Sequence, residues 1–315
     1  MTFLPRFGRN GQSSWTVIQA GSSTLRFVRG DMEAPRKPRL LDFGEALAGS
    51  DKADLSRAAK TLRIPTGGRY ALLLREPDYR IHLMDAPNVP PAELKSAMKW
   101  HLKEIIDFPV EEASYDILDL PADRRGADQP RSVYAVAARQ TVLKSYVDQL
   151  DKARLPVTVI DVPEMAQRNI AALYEEENRA VALLHLGEED GLLTVSAGGE
   201  LYLARRLDIS LTQIRSTEGD ARNDLFSRIL LQLQRTLDNF ERQFSFVGIS
   251  KLLLGPQPED TGLFDYLSGN IGIRVEMVDL QAVIDIPKER DFDQQAQWRY
   301  LHLIGCSLRT EAQIA

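Results

Sequence analysis

The chain has 315 residues, of which 43% are hydrophobic and 27% charged, so it is long enough to form about two globular domains. Its 39 basic and 45 acidic residues give a formal net charge of −6, which argues against a dedicated nucleic-acid binder, because such proteins carry a basic excess. One cysteine excludes an intramolecular disulfide, and four histidines are too few for a dense metal cluster. Signal-peptide features and apolar stretches of about 20 residues are absent, so we expect a cytoplasmic protein with no direct membrane insertion.

The first half of the sequence predicts a leader, a β-hairpin and a series of alternating helices and strands. The leader covers residues 1–14, and the hairpin turns at Gly21 between two β-rich runs, 15–18 and 24–28. Further strands are predicted at 70–74, 79–84, 114–120, 132–138 and 157–160, and helices at about 51–62, 91–106, 141–150 and from 163 onward. The helix that begins after Pro90 is the clearest, because its apolar residues recur every three or four positions on one face.

The second half begins in the same way as the first. A strand at 181–186 ends at Gly187, and the chain turns back into a strand at 192–195, which predicts the second hairpin. The pair Gly198-Gly199 predicts a further turn into the next strand. Later strands are predicted at 201–205, 251–254 and 273–278, and helices at about 222–244 and 294–308. One glycine hairpin therefore opens each half, which indicates either a weak internal repeat or a chance similarity of two β-turn-β units.

Several stretches of the sequence resemble one known family. They are residues 20–27, 94–116, 136–139, 232–240 and 304–309. The stretches and their order along the chain resemble the PilM group of pilus-assembly proteins. Within this group the resemblance is strongest to the MshI members. The resemblance implies an α/β fold of two RNase H-like (actin-like) domains around a cleft, with a small inserted α+β subdomain in the first.

The resemblance also implies domain boundaries. Domain I would comprise residues 15–162 and 294–315, so that the last helix returns to the first half. The inserted subdomain would cover residues 67–138, and domain II would cover residues 163–293.

Members of the actin-like superfamily hold a nucleotide between two hairpins and a third glycine. The resemblance therefore implies cofactor-binding positions at Gly21, Ser22, Ser23, Gly187 and Gly255. Backbone N–H groups of the first turn suit a phosphate, although an ordinary tight hairpin is the alternative interpretation of the same residues.

The sequence departs from the nucleotide-binding pattern in each of these places. Gln19 and His185 stand where active relatives carry Asp, which weakens any Mg²⁺ site. The turn Glu188-Glu189-Asp190 would repel a polyphosphate, and Pro256 removes an N–H beside Gly255. We therefore predict a degenerate nucleotide site with no catalytic residue, no metal site and no required cofactor. If a ligand binds there, we expect ATP with Mg²⁺. Weak ATPase activity is the alternative that this prediction leaves open.

Family members act as platforms at the inner membrane, where they bind the short cytoplasmic tail of an assembly protein. The resemblance implies a PilN- or MshJ-like partner, with the assembly motor ATPase as a further candidate. We predict that the partner's peptide binds beside Trp100, Ile105 and Phe108, although Trp100 could equally cover a neighbouring strand. The predicted function is a cytoplasmic scaffold for an MSHA-type type IV pilus. The alternatives are an ATP-binding switch and the equivalent platform of a type II secretion system.

Overall fold

The structure, a computed structural model, describes residues 14–21, 23–31, 37–48, 55–121, 131–287 and 290–309. The chain divides into two units, Met1–Met32 with Leu41–Pro163, and Glu33–Leu40 with Glu164–Ala315. Within the described residues, no helix combines the length and the apolar character that crossing a membrane requires. The predicted leader lies almost wholly outside the described residues.

The first unit contains a five-stranded sheet and a smaller three-stranded one. The strands are β1 (Ser14–Ala20), β2 (Thr24–Asp31), β3 (Arg39–Leu47), β4 (Arg69–Leu73), β5 (Tyr79–Asp85), β6 (Ala113–Asp119), β7 (Ser132–Arg139) and β8 (Val157–Asp161). The helices are α1 (Leu55–Thr61), α2 (Pro91–Leu102) and α3 (Gln140–Lys152), with a short 3-10 helix at Val110–Glu112.

The large sheet of the first unit has the order β3-β2-β1-β4-β8. β1 and β2 form the predicted antiparallel hairpin, while β4 runs parallel to both β1 and β8. The central strands are apolar on both faces, and Val17, Phe27 and Leu72 are fully buried. Parallel strands covered on both sides have this continuous apolar character.

The small sheet has the order β5-β7-β6, and helix α2 packs on one of its faces. Leu94, Met98 and Leu102 of α2 are buried against Val133 and Ala135 of the central strand. These elements lie almost wholly within residues 67–138, where the inserted subdomain is predicted. The subdomain begins at β5 rather than at residue 67, because the intervening strand β4 pairs with β1 and β8 in the large sheet.

The second unit repeats the topology of the large sheet. Its strands are β9 (Ala180–Leu186), β10 (Gly191–Ala197), β11 (Glu200–Leu207), β12 (Ile249–Leu254) and β13 (Arg274–Met277). Its helices are α4 (Pro163–Ala172, of which Pro163 falls in the first unit), α5 (Leu211–Arg215), α6 (Gly219–Gln243), α7 (Leu263–Asn270), α8 (Leu280–Val283) and α9 (Gln294–Ser307). The order β11-β10-β9-β12-β13 matches that of the first sheet position by position, with the hairpin and the parallel strands in equivalent places. The internal repeat is therefore confirmed at the level of strand order.

Four strands and helices of the described residues were not predicted, namely β3, α5, α7 and α8, and neither was the short 3-10 helix at Val110–Glu112. Strand β3 has no apolar alternation, and Gly44 interrupts it. The three helices are eight residues or shorter, so they offer too few turns for a helical period to show.

The last helix differs from the prediction. We expected residues 294–315 to return to the first domain, but the structure assigns α9 to the second unit. Asn169 of α4 donates a hydrogen bond to the carbonyl of Gly305 at 2.9 Å, and Trp298 Nε1 donates to the carbonyl of Leu186 at 2.7 Å. Helix α9 packs on α4 because Gly305 has no side chain and lets the two helix backbones approach closely.

Substituting Gly305 by alanine tests this packing. A Cβ there would lie 2.1 Å from the carbonyl oxygen of Ala166, so one backbone must move. We expect G305A to lower the free energy of unfolding by roughly 3 kcal/mol, even though alanine favours a helix by about 1 kcal/mol. The matched control is G269A in α7, where nothing lies within 4 Å of the new Cβ and stability should be unchanged or slightly higher. Equal denaturant midpoints for G305A and the parent protein would contradict the packing of α9 on α4.

Candidate functional site

The first hairpin turn is closed by its own hydrogen bond. The backbone N–H of Gly21 donates to the carbonyl of Thr24 at 2.7 Å, so the turn itself uses this N–H. A Cβ on Gly21 would lie 2.8 Å from Thr24 Oγ1, which explains why glycine is needed there. Ser23 is exposed beside the turn, and Ser22 lies outside the described residues.

Arg75 lies beside the same turn, and the sequence analysis missed it. Its Nη1 is 3.2 Å from the position that a Cβ on Gly21 would occupy. Arg75 follows the carboxyl end of β4, which pairs in parallel with β1 and so brings the guanidinium to the hairpin. No local pattern signals this, because the two residues are far apart in sequence. An anion at the first turn would meet this charge.

The second hairpin turn is also closed internally, and its acidic residues are paired. The N–H of Gly187 donates to the carbonyl of Asp190 at 2.7 Å. Nη1 of Arg215 lies 2.9 and 2.7 Å from the two carboxylate oxygens of Glu188. Asp190 forms an ion pair with Arg206. The predicted repulsion from this turn is therefore reduced, since arginines of the same unit pair with two of its three carboxylates, although each arginine is shared with a second acidic residue.

Arg206 also binds Glu164, whose side chain is fully buried in the first turn of α4. Its Nη2 lies 3.1 Å from Glu164 Oε1. One guanidinium thus joins α4, β11 and the second hairpin turn. Breaking a buried ion pair of this kind typically costs about 3–5 kcal/mol, because a charge is left without a partner in the interior.

Gly255 and His185 are in direct contact at the carboxyl end of the second sheet. The N–H of Gly255 donates to the carbonyl of Leu184 at 2.7 Å. A Cβ on Gly255 would lie 2.7 Å from His185 Nδ1 and 3.2 Å from its Cα, so only glycine fits without movement. His185 Nδ1 is buried and has no hydrogen-bond partner within the described part of the chain.

Burial lowers the pKa of His185 from 6.5 to about 4; Asp190 acts in the opposite direction and Arg206 lowers the pKa further. The ring of His302 lies edge-on to it, with 4.8 Å between centroids, and burial likewise lowers the pKa of His302 well below its ordinary value. His302 Nε2 is 3.0 Å from Gln167 Oε1, and Gln167 donates to the carbonyl of Leu183 at 2.7 Å. Both imidazoles are therefore neutral near pH 7 and serve as structural groups, His185 buried and His302 half-buried.

The residues predicted for a nucleotide fall in both units: Gly21 and Ser23 belong to the first, and Gly187 and Gly255 belong to the second. The N–H groups of all three glycines are engaged in internal hydrogen bonds. Groups of three or more metal-ligating side chains are not found among the described residues.

The residues predicted for a partner peptide lie on the surface of the inserted subdomain. Trp100 on α2 is 72% exposed and Ile105, just after the helix, is 45% exposed. Phe108 is half-buried, with the guanidinium of Arg139 4.3 Å from its ring centroid. The exposure of Trp100 excludes the alternative that it covers a neighbouring strand.

Comparison with known proteins agrees with this architecture. Residues 81–213 match the family model of the type IV pilus assembly protein PilM. Over 92% of its length the chain superposes on 96% of a chain from the solved PilM–PilN type IV pilus biogenesis complex, with a TM-score of 0.71 and 20% sequence identity. The chain has the actin-like fold of PilM.

Weaker likenesses extend to two further solved structures. A protein from Bacteroides thetaiotaomicron with an actin-like ATPase fold and unknown function matches with a TM-score of 0.48 and 10% identity, over 91% of this chain and 96% of that one. The cytoplasmic domain of EpsL, an inner-membrane component of the Vibrio cholerae type II secretion system, matches with a TM-score of 0.47 and 11% identity, over 92% and 95%. No curated protein sequence matches the chain.

The buried imidazole of His185 makes stability depend on pH. The unfolded chain protonates this ring near pH 6.5, whereas the folded protein does so only near pH 4. Between these values the unfolded state binds more protons, so falling pH lowers the free energy of unfolding, by about 2 kcal/mol between pH 7 and pH 5 for this one group. We expect H185L to lose this part of the pH dependence in denaturant titrations at the two pH values. The control is H101Q, a change of an exposed histidine that should keep the full dependence; an unchanged pH dependence in H185L would contradict the assignment.

Proposed function

We propose that the protein is a scaffold for type IV pilus assembly that binds the cytoplasmic tail of a PilN-like inner-membrane protein. The match of residues 81–213 to the PilM family model carries this proposal, and the actin-like fold supports it. At the finer level we propose an MSHA-type pilus, on the resemblance to MshI members. The protein would lie in the cytoplasm and reach the inner membrane through its partner.

The position of the matched segment supports the predicted peptide site. Residues 81–213 include all of α2, β6 and β7 and almost all of β5, and therefore Trp100, Ile105 and Phe108. In the small sheet, β5 and β6 are the two edge strands. An extended peptide gains main-chain hydrogen bonds along such an edge and anchors its apolar side chains in neighbouring pockets.

Side chains on this surface offer both apolar and charged contacts to a peptide. Trp100 supplies a large exposed aromatic group, and the stacked pair of Phe108 and Arg139 supplies an apolar plane beside a charge. Aromatic and arginine side chains are the residues that most often dominate binding energy at protein interfaces.

We propose further that no nucleotide drives this scaffold. The internal hydrogen bonds of Gly21, Gly187 and Gly255 support this view, because they occupy N–H groups that would otherwise face phosphates. One observation favours the alternative of an ATP-binding switch, namely the guanidinium of Arg75 beside the first turn. A cation at this position would stabilise a bound phosphate.

Truncating Trp100 tests the peptide site. A buried aromatic anchor contributes about 2 kcal/mol, so we expect W100A to weaken binding of the partner's cytoplasmic peptide roughly thirtyfold. Fluorescence anisotropy with a labelled peptide from the partner's N-terminal tail measures the affinity. The matched control is L231A, which removes an apolar side chain of 45% exposure from α6 in the second unit.

The proposal requires that L231A binds like the parent protein and that W100A keeps the parent's melting temperature. Undiminished peptide binding by W100A would place the interface elsewhere. Failure of the parent protein to bind any tail peptide of the pilus membrane proteins would overturn the proposed function itself.

A further inference from the structure

The long helix α6 presents a regular line of side chains on the face that points away from the core. Ile229 and Phe240 belong to its buried face. The opposite face carries six exposed residues at spacings of four, three, four, three and four: Asp224, Arg228, Leu231, Arg235, Asp238 and Arg242. This spacing is the a/d pattern of a coiled coil, so the six side chains follow one side of the helix over about 27 Å.

The charges of this line are not paired with one another. Asp224 stands four residues before Arg228, a spacing that favours an ion pair along a helix. Asp238 stands at the same distance before Arg242. Within the part of the chain that the structure describes, neither couple forms an ion pair, and Arg242 donates to Asn239 instead. The charges are therefore available to a partner.

An exposed apolar residue lies in the middle of the line. Leu231 is the large hydrophobic residue that α6 leaves exposed, and it stands three residues after Arg228 and four before Arg235. The aliphatic stem of an arginine covers apolar surface while its guanidinium stays in water. A partner with arginines on its own surface could thus bury Leu231 without losing its hydration.

The order of side chains along the line is complementary to the same order reversed. Two copies of α6 that pack antiparallel have one register in which every position of the line faces another position of the line. The facing residues in this register are Asp224 with Arg242, Arg228 with Asp238, and Leu231 with Arg235. Each charge thus meets an opposite charge or, at Leu231, an arginine stem.

Other arrangements of two copies match less well. A two-fold axis repeats every contact, so the register above contains four oppositely charged pairs. Sliding the helices by one heptad in either direction leaves two such pairs. A parallel pair in register brings like charges together at every charged position of the line, which is unfavourable.

We propose that this face of α6 is a self-association surface, on which a second copy of the chain binds antiparallel with Arg228 opposite Asp238. Leu231 of each copy packs under the stem of Arg235 of the other. Exposed ion pairs are individually weak and are screened by salt, so the dimer is weak and depends on ionic strength. The surface belongs to the second unit and does not depend on the peptide site proposed on the first.

Sedimentation equilibrium of the full chain measures the association. The parent protein should show a monomer–dimer equilibrium at about 50 mM salt, with a Kd that rises at least about tenfold at about 500 mM. R228D and D238R each bring like charges together twice per dimer, so each should weaken association roughly tenfold. The control D148R reverses an exposed aspartate on α3 of the first unit and should leave the Kd unchanged.

Mixing the two variants tests the register itself. The R228D chain is acidic at both facing positions and the D238R chain is basic at both, so each repels itself and attracts the other. An equimolar mixture should therefore dimerise about as strongly as the parent, and the double variant R228D/D238R should recover dimerisation as well. Because the changed side chains are exposed, every variant should keep the parent's circular dichroism spectrum.

Two results would overturn the proposal. One is a parent protein that stays monomeric at low salt up to about 300 µM, which would leave this face to a different partner or to solvent. The other is a mixture of R228D and D238R that dimerises no better than either variant alone, because only the proposed register places these two positions opposite each other. Both results leave peptide binding at Trp100 untouched, so the two proposals fail separately.

Discussion

The second unit is organised around the guanidinium of Arg206. Glu164 is a fully buried carboxylate, and a charge in the interior is tolerated only with a partner at close range. Arg206 supplies that partner and at the same time binds Asp190 in the hairpin turn. This one side chain therefore fixes the start of α4, the end of β11 and the second hairpin relative to one another.

The neighbouring residues build on this arrangement. His185 and His302 lie beside the ion pair as neutral rings, and Gln167 connects His302 to the backbone of β9. Gly255 packs directly on His185, and Gly305 lets α9 approach α4. These contacts hold polar groups and small residues in fixed positions within the second unit.

The sequence allowed the regular part of the fold to be predicted, because its signals are local. The hairpin at Gly198-Gly199 has positive φ at both glycines, as its composition requires, and the buried stripe of α6 follows the helical period. The repeat of strand order could be suspected from the two hairpins alone. Strand β3 could not be recognised, because an edge strand with mixed burial has no alternation to detect.

The candidate sites were less predictable, because long-range pairing creates them. Arg75 reaches the first turn only through the parallel pairing of β1 and β4. Arg206 and Arg215 form ion pairs with the acidic turn from β11 and α5. Position in the sequence gives no indication of these contacts. Trp100 was identified from sequence because an aromatic residue off the apolar stripe of a helix is a local feature.

Isothermal titration calorimetry with Mg·ATP is the most direct test of the claim that the internally bonded turns leave no working nucleotide site. The purified protein at neutral pH should give no saturable heat with millimolar nucleotide, and its melting temperature should not change. A ligand that did bind, at a concentration of 100 times its Kd, would raise the free energy of unfolding by roughly 2.7 kcal/mol. A saturable isotherm with a micromolar Kd for Mg·ATP would contradict the account. Its loss in an R75A variant would then place the nucleotide at the first turn.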